Sequence, residues 1–169
     1  MKAPLFILLS TNKNSMNPPD PEIVEILIVE DNPHDLALTQ RALKKARLAN
    51  NLHVCRDGEE ALDFLYGEGA HAGRRTDQQP RVVLLDIKLP KVDGLEVLRR
   101  LKSDPRTKNI PVVMLTSSKE QRDVIESYNL GVNSYIVKPV NFESFSKAIT
   151  ELKMYWLVLK AALIGSMRR

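Results

Sequence analysis

The sequence predicts an α/β fold, a single parallel sheet doubly wound by helices, and three observations carry that prediction. Five short apolar runs, at 26–29, 52–55, 82–85, 112–115 and 135–137, alternate with longer amphipathic stretches. That alternation is the mark of βαβ units and a parallel sheet. The first, third and fourth runs are almost continuously apolar, as strands covered on both faces must be. Charged or hydroxyl residues follow four of the five runs directly: Glu30 and Asp31, Asp86, Thr116, and Lys138.

Each helical stretch carries its own signals. After the first strand, Asn32 is placed to cap a helix that has Pro33 at its first position. Leu36, Leu43 and Ala46 give that helix its buried face. The second run ends in Cys55-Arg56-Asp57-Gly58, which is turn chemistry, and Gly58 opens a helix over 59–65. A third helix over about 95–102 buries Leu95, Leu98 and Leu101, and stops before Pro105 because proline disfavours helix in the residue preceding it. The fourth covers about 119–130, with Gly131 as a natural residue just past its end. Between the second helix and the third strand, the segment 67–80 contains Gly67, Gly69 and Gly73 beside Arg74 and Arg75. These glycines follow a helix instead of opening one after a strand, so the dinucleotide fingerprint fails and a surface loop is expected.

The final helix spans more than a small sheet requires. Phe142, Phe145, Ile149, Leu152, Trp156, Leu159 and Leu163 follow an unbroken heptad spacing. A helix of about 22 residues would be roughly 33 Å long. Its first half can cover the sheet. Beyond Met154 the segment carries one charge, Lys160, among apolar residues, too greasy a face to stay in water. Self-association through Trp156, Leu159 and Leu163 is preferred over folding back on the domain. An interfacial membrane helix ranks third, because the basic face such helices use is missing.

The chain has 169 residues, room for one domain of roughly 100–150 residues with tails. The division expected is a disordered arm over 1–21, a domain over 22–153 and a helical extension over 154–169. Met16 is an alternative translation start. The net charge of +4 comes from cations scattered among acids, without a basic stripe interleaved with aromatics, so direct nucleic-acid binding is not expected. One cysteine, Cys55, fits a reducing cytoplasm. The apolar stretch Leu5-Phe6-Ile7-Leu8-Leu9 is too short for a secretory signal, and no segment is long and apolar enough to span a bilayer.

Strand ends in a parallel sheet share one edge, and that edge is where open α/β sheets bind ligands. Glu30, Asp31 and Asp86 would repel one another there, and burial would push their pKa values up. A divalent cation such as Mg²⁺, which takes carboxylates, phosphate and water as ligands, resolves the conflict. Mg²⁺ and the Lys138 ammonium together would favour a dianionic phosphoryl group. Asp86, ending the most central-looking strand, is the candidate carboxylate nucleophile. Thr116 is the candidate hydroxyl donor to a phosphoryl oxygen. Any one of these residues alone would be better read as a strand-end cap or a surface ion pair.

The motifs Glu30-Asp31-Asn32, Leu84-Leu85-Asp86-Ile87-Lys88-Leu89-Pro90, Asp93-Gly94, Leu115-Thr116-Ser117-Ser118 and Tyr135-Ile136-Val137-Lys138-Pro139 together resemble response-regulator receiver domains. These are the phosphoacceptor modules of two-component signalling. The resemblance covers about 25–152. Within the family, the chain is similar to the stand-alone regulators paired with bacterial and cyanobacterial phytochromes.

The resemblance implies a flavodoxin-like five-stranded sheet in the order 2-1-3-4-5. It implies that Asp86 accepts a phosphoryl group from a sensor histidine kinase, possessing Mg²⁺ bound by Glu30, Asp31, Asp86 and the backbone carbonyl of Lys88. It implies that Lys138 pairs with the phosphoryl group, that Thr116 moves toward it, that Tyr135 follows as an aromatic switch, and that Pro139 is joined through a cis bond. The face of helix four, strand five and helix five would then change, making a phosphorylation-sensitive homodimer the expected output. Such a protein is no enzyme with an external substrate. Glu30 replaces the family's more frequent Asp, which should keep metal binding. Lys88 adds a cation two residues after the nucleophile, where it is expected to alter dephosphorylation. A haloacid-dehalogenase-type phosphatase would want an Asp at that position. A phosphorylation-independent binding module is the other alternative, and the intact set of site residues argues against it. His34, His53 and His71 are given no metal site.

Overall fold

A computed structural model describes residues 26–47, 51–117 and 121–151. The element order is β1 (Ile26–Val29), α1 (Pro33–Lys45), β2 (Leu52–Cys55), α2 (Gly58–Tyr66), a 3₁₀ turn (Gly69–His71), β3 (Val82–Asp86), α3 (Gly94–Ser103), β4 (Val112–Thr116), α4 (Gln121–Asn129), β5 (Ser134–Val137) and α5 (Phe142–Glu151). The strands form one parallel sheet in the order β2-β1-β3-β4-β5. This is the doubly wound fold the alternation predicts.

The two-residue period of the strands sorts their side chains into two cores. Leu27, Val29, Val83, Leu85 and Met114 pack with Leu62 and Leu65 of α2 and Val97, Leu98 and Leu101 of α3. On the opposite face, Ile28, Leu84, Val113, Leu115 and Ile136 pack with Leu36 and Leu43 of α1 and Phe145 of α5. Every residue of β1, β3 and β4 is buried, which explains their unbroken apolar runs.

Helix ends follow from local chemistry. The Asn32 carboxamide accepts from the amides of His34 and Asp35, and Pro33 takes the first position of α1. Asp57 accepts from the Glu60 amide and Asp93 from the Glu96 amide. Asn141 and Ser144 cap α5 reciprocally. Past α4, Gly131 takes φ +91°, and the amides of Gly131 and Val132 donate to the carbonyls of Tyr128 and Ser127. That pair of bonds is a Schellman closure.

Three details differ from the sequence reading. Ala46 and Leu95 are only half-buried, while Ala42 and Val97 fill those places in the core. Ala46 is the C-cap of α1, beyond the helix's last packed turn. The segment 67–80 is also more than a surface loop. The Arg74 guanidinium stacks over the Phe64 ring at 3.9 Å and donates to the carbonyls of Phe64 and Gln78. The Gln79 carboxamide donates to the carbonyl of Leu65. Side chains of the loop thus satisfy the open carbonyls at the end of α2.

Among the described residues no helix is long and apolar enough to cross a membrane. The arm over 1–21, Trp156, Leu159, Leu163 and the rest of the extension over 154–169 lie outside the described residues.

Candidate functional site at the sheet edge

Because β1 and β3 are adjacent and in register, Glu30 and Asp86 leave the sheet side by side. Glu30 is fully buried, Asp86 is nearly so, and Asp31 is exposed. One carboxylate oxygen from each lies within 4.8 Å of the others. Backbone amides orient two of them: Asn32 donates to Glu30 Oε1 at 3.2 Å and Lys88 to Asp86 Oδ1 at 3.4 Å.

Lys138 enters from the end of β5. Its Nζ stands 2.8 Å from Glu30 Oε2, 3.0 Å from Asp86 Oδ2 and 3.1 Å from Asp35 Oδ2. The contact with Glu30 is a buried ion pair, and the ammonium is the partner of Glu30 Oε2. Burial pushes the Glu30 carboxyl up to about 7; Lys138 opposes that shift and Asp86 adds to it. Burial also works against the charged ammonium of Lys138, but Glu30 and Asp86 outweigh it and raise its proton affinity.

Thr116 ends β4 and is buried, with its hydroxyl donating to the Ser117 carbonyl at 3.2 Å. Its own carbonyl accepts from the Lys138 amide at 2.7 Å, which ties the hydroxyl-bearing strand end to the lysine-bearing one. Lys138 and Pro139 are joined by a cis peptide bond, as expected. Tyr135 is 39% exposed and meets Tyr128 of α4 edge to face, with centroids 5.8 Å apart.

The structure therefore brings Glu30, Asp31, Asp86 and Lys138 together and seats Thr116 on the neighbouring strand end. The sequence reading missed Asp35. The available signal was its position: the third residue of a helix capped by Asn32 points back toward the strand ends. A divalent cation fits this donor set. Glu30, Asp31 and Asp86 each turn one carboxylate oxygen to within 4.8 Å of the others, and such oxygen donors suit a hard cation that would relieve their mutual repulsion.

Comparison with known proteins accounts for this arrangement. Residues 26–150 match the family described as the response regulator receiver domain. The bacteriophytochrome response regulator AtBRR is 57% identical over 76% of this chain and 91% of its own, with a TM-score of 0.69. Response regulator Rcp1 of Synechocystis sp. is 41% identical over 132 residues, 78% of this chain and 88% of the relative. A crystal structure of the Mn(2+)-bound form of response regulator Rcp1 matches with a TM-score of 0.64, over 78% and 93% of the two chains. The phosphorylated cyanobacterial phytochrome response regulator RcpA matches with a TM-score of 0.65 at 41% identity, over 78% and 92%. This chain belongs to the response-regulator receiver family of two-component signalling. Within it, the chain is similar to stand-alone regulators associated with phytochromes.

Proposed function

We propose that the chain is a phosphorylation switch in which Asp86 accepts a phosphoryl group from a sensor histidine kinase. The observation that carries this reading is the Lys138 ammonium, held within 3.0 Å of both Asp86 and buried Glu30 at the C-terminal sheet edge. A cation kept there in low dielectric favours an incoming dianion. An Asp86 oxygen attacks phosphorus, forming an O–P bond as the P–N bond to the donor imidazole breaks. Lys138 then pairs with the new phosphoryl oxygens. Glu30, Asp31, Asp86 and the Lys88 carbonyl are the residues that would hold Mg²⁺, which supplies charge neutralisation at the transferred group.

The signal leaves through Thr116. Its hydroxyl now bonds the Ser117 carbonyl, and a phosphoryl group on Asp86 offers it a charged acceptor instead. That rearrangement biases the α4-β5-α5 face, where a cavity of about 360 Å³ is lined by Tyr128, Tyr135, Val137, Ser144 and Lys147. The output is protein contact, including a phosphorylation-sensitive homodimer. The similarity to AtBRR and RcpA supports a phytochrome-type kinase as the donor. The chain acts on no external substrate.

Intact-mass spectrometry after incubation with acetyl phosphate and Mg²⁺ tests this reading, alongside size-exclusion chromatography. One added phosphoryl group, absent without Mg²⁺, is expected, and Thr116→Ala should be phosphorylated without the change in elution volume. No phosphorylation from acetyl phosphate or from a histidine kinase would leave a phosphorylation-independent binding module.

A further inference from the structure

Beside the outer strand of the sheet, three residues the sequence reading kept apart come together. His53 lies on the edge strand β2, Glu60 in the first turn of α2, and His71 at the end of the 3₁₀ turn. One ligand atom from each lies within 4.8 Å of the others. His71 Nε2 stands 4.0 Å from Glu60 Oε1. The other carboxylate oxygen, Glu60 Oε2, accepts from the Arg56 amide at 2.8 Å, which fixes how the carboxylate is turned. His53 stacks on Phe64 with centroids 4.1 Å apart, and meets the His71 ring edge to face at 5.3 Å. Its Nε2 is buried with no hydrogen-bond partner.

We propose that His53, Glu60 and His71 form a binding site for a zinc-class divalent cation, independent of the acidic sheet edge. Two imidazoles and one carboxylate, with a fourth position left for water, are a familiar zinc donor set. They suit a borderline metal, whereas the oxygen-only edge around Asp86 suits Mg²⁺. Tetrahedral zinc places ligand atoms roughly 3.3 Å apart, so pairs now 4.0 Å to at most 4.8 Å apart must close by about 0.7–1.5 Å. His71, on a short turn beyond α2, can supply that movement.

The electrostatics are mixed. Burial is the largest influence on His53 and lowers its proton affinity. Glu60 favours a cation at this point, and Arg74, over the Phe64 ring, opposes one. The bound metal would join the edge strand, α2 and the 67–80 segment through three ligands. It would therefore hold the β2 corner of the sheet in place without involving Asp86.

The test is zinc competition against a chromophoric chelator, using the full chain with Mg²⁺ in excess to fill the acidic edge. One equivalent of Zn²⁺ should be retained. His71→Ala and Glu60→Gln should each weaken retention roughly tenfold or more, and Asp86→Asn should leave it unchanged. Circular dichroism in chelator would establish that the variants fold. In parallel, Co²⁺ should give the intense visible absorption of a tetrahedral site in the parent chain and lose it in His71→Ala. No zinc retention, equal retention by folded His71→Ala, or loss in Asp86→Asn would overturn the proposal.

Discussion

Lys138 Nζ lies 3.1 Å from Asp35 Oδ2, a carboxylate brought from the first turn of α1 rather than from a strand end. Asp35 is thus a third acid on the one ammonium, beside Glu30 and Asp86. A phosphoryl group arriving at Asp86 must compete with Asp35 for Lys138. The same carboxylate adds negative charge close to the proposed metal ligands.

Removing that charge should weaken the metal site without destroying it. A unit charge about 4–8 Å from a dication, in a water-like dielectric, is worth about 1–2 kcal/mol, several-fold or more in affinity. Asp35→Asn is therefore expected to bind Mg²⁺ several-fold more weakly by calorimetric titration. Unchanged affinity would show that Asp35 acts on Lys138 alone.

Gly94 sits where the chain leaving Asp86 folds back to begin α3. Its amide donates to the Ile87 carbonyl at 2.7 Å. A Cβ there would run into the Asp86 carbonyl oxygen and lie 2.8 Å from Ile87 Cα. Both obstacles are backbone and cannot swing aside. Gly94→Ala should cost about 1–3 kcal/mol in urea denaturation. It should also slow phosphorylation, since the clash displaces Asp86, the proposed acceptor.

The surface cluster on α3 gives a pH-dependent prediction. Hydrogen bonds from Arg99 and Arg100 hold the Glu96 carboxyl down to about 2 from its ordinary 4.5. A group whose pKa is lower in the folded chain stabilises it above the unfolded value and loses that effect as pH falls toward the folded value. The stability difference between the parent chain and Glu96→Gln should shrink as pH falls from 4.5 toward 2. The cluster lies at the surface, with Glu96 half-buried and both arginines exposed, so high salt should shrink it too. Thermal melts across this range would measure both effects, and a difference that grew in acid would contradict the assignment.

The sheet was readable in the sequence because burial on both faces forces strands to be apolar throughout, as in Val82-Val83-Leu84-Leu85. Helix starts were readable where a single side chain does the capping, as Asn32 illustrates. Glu30, Asp31, Asp86, Thr116 and Lys138 could be gathered because each ends a strand or follows one within two residues, and those strand ends face the same edge. Asp35 was harder to place: its position in the first turn of α1 was visible, but its reach toward Lys138 depends on how α1 is set against the sheet. The fixing of the 67–80 segment by Arg74 was hidden because it rests on satisfying carbonyls at the end of α2. His53, Glu60 and His71 were hidden for a related reason: three elements must pack before those side chains meet.

The central claim is that Asp86 carries the phosphoryl group, and borohydride trapping tests it most directly. Reduction of an aspartyl phosphate converts that residue to homoserine, which peptide mass spectrometry can place in the chain. After incubation with acetyl phosphate and Mg²⁺, homoserine is expected at position 86, and none should form when Mg²⁺ is withheld. Homoserine at another aspartate, or none at any position in a protein that has gained a phosphoryl group, would contradict the account.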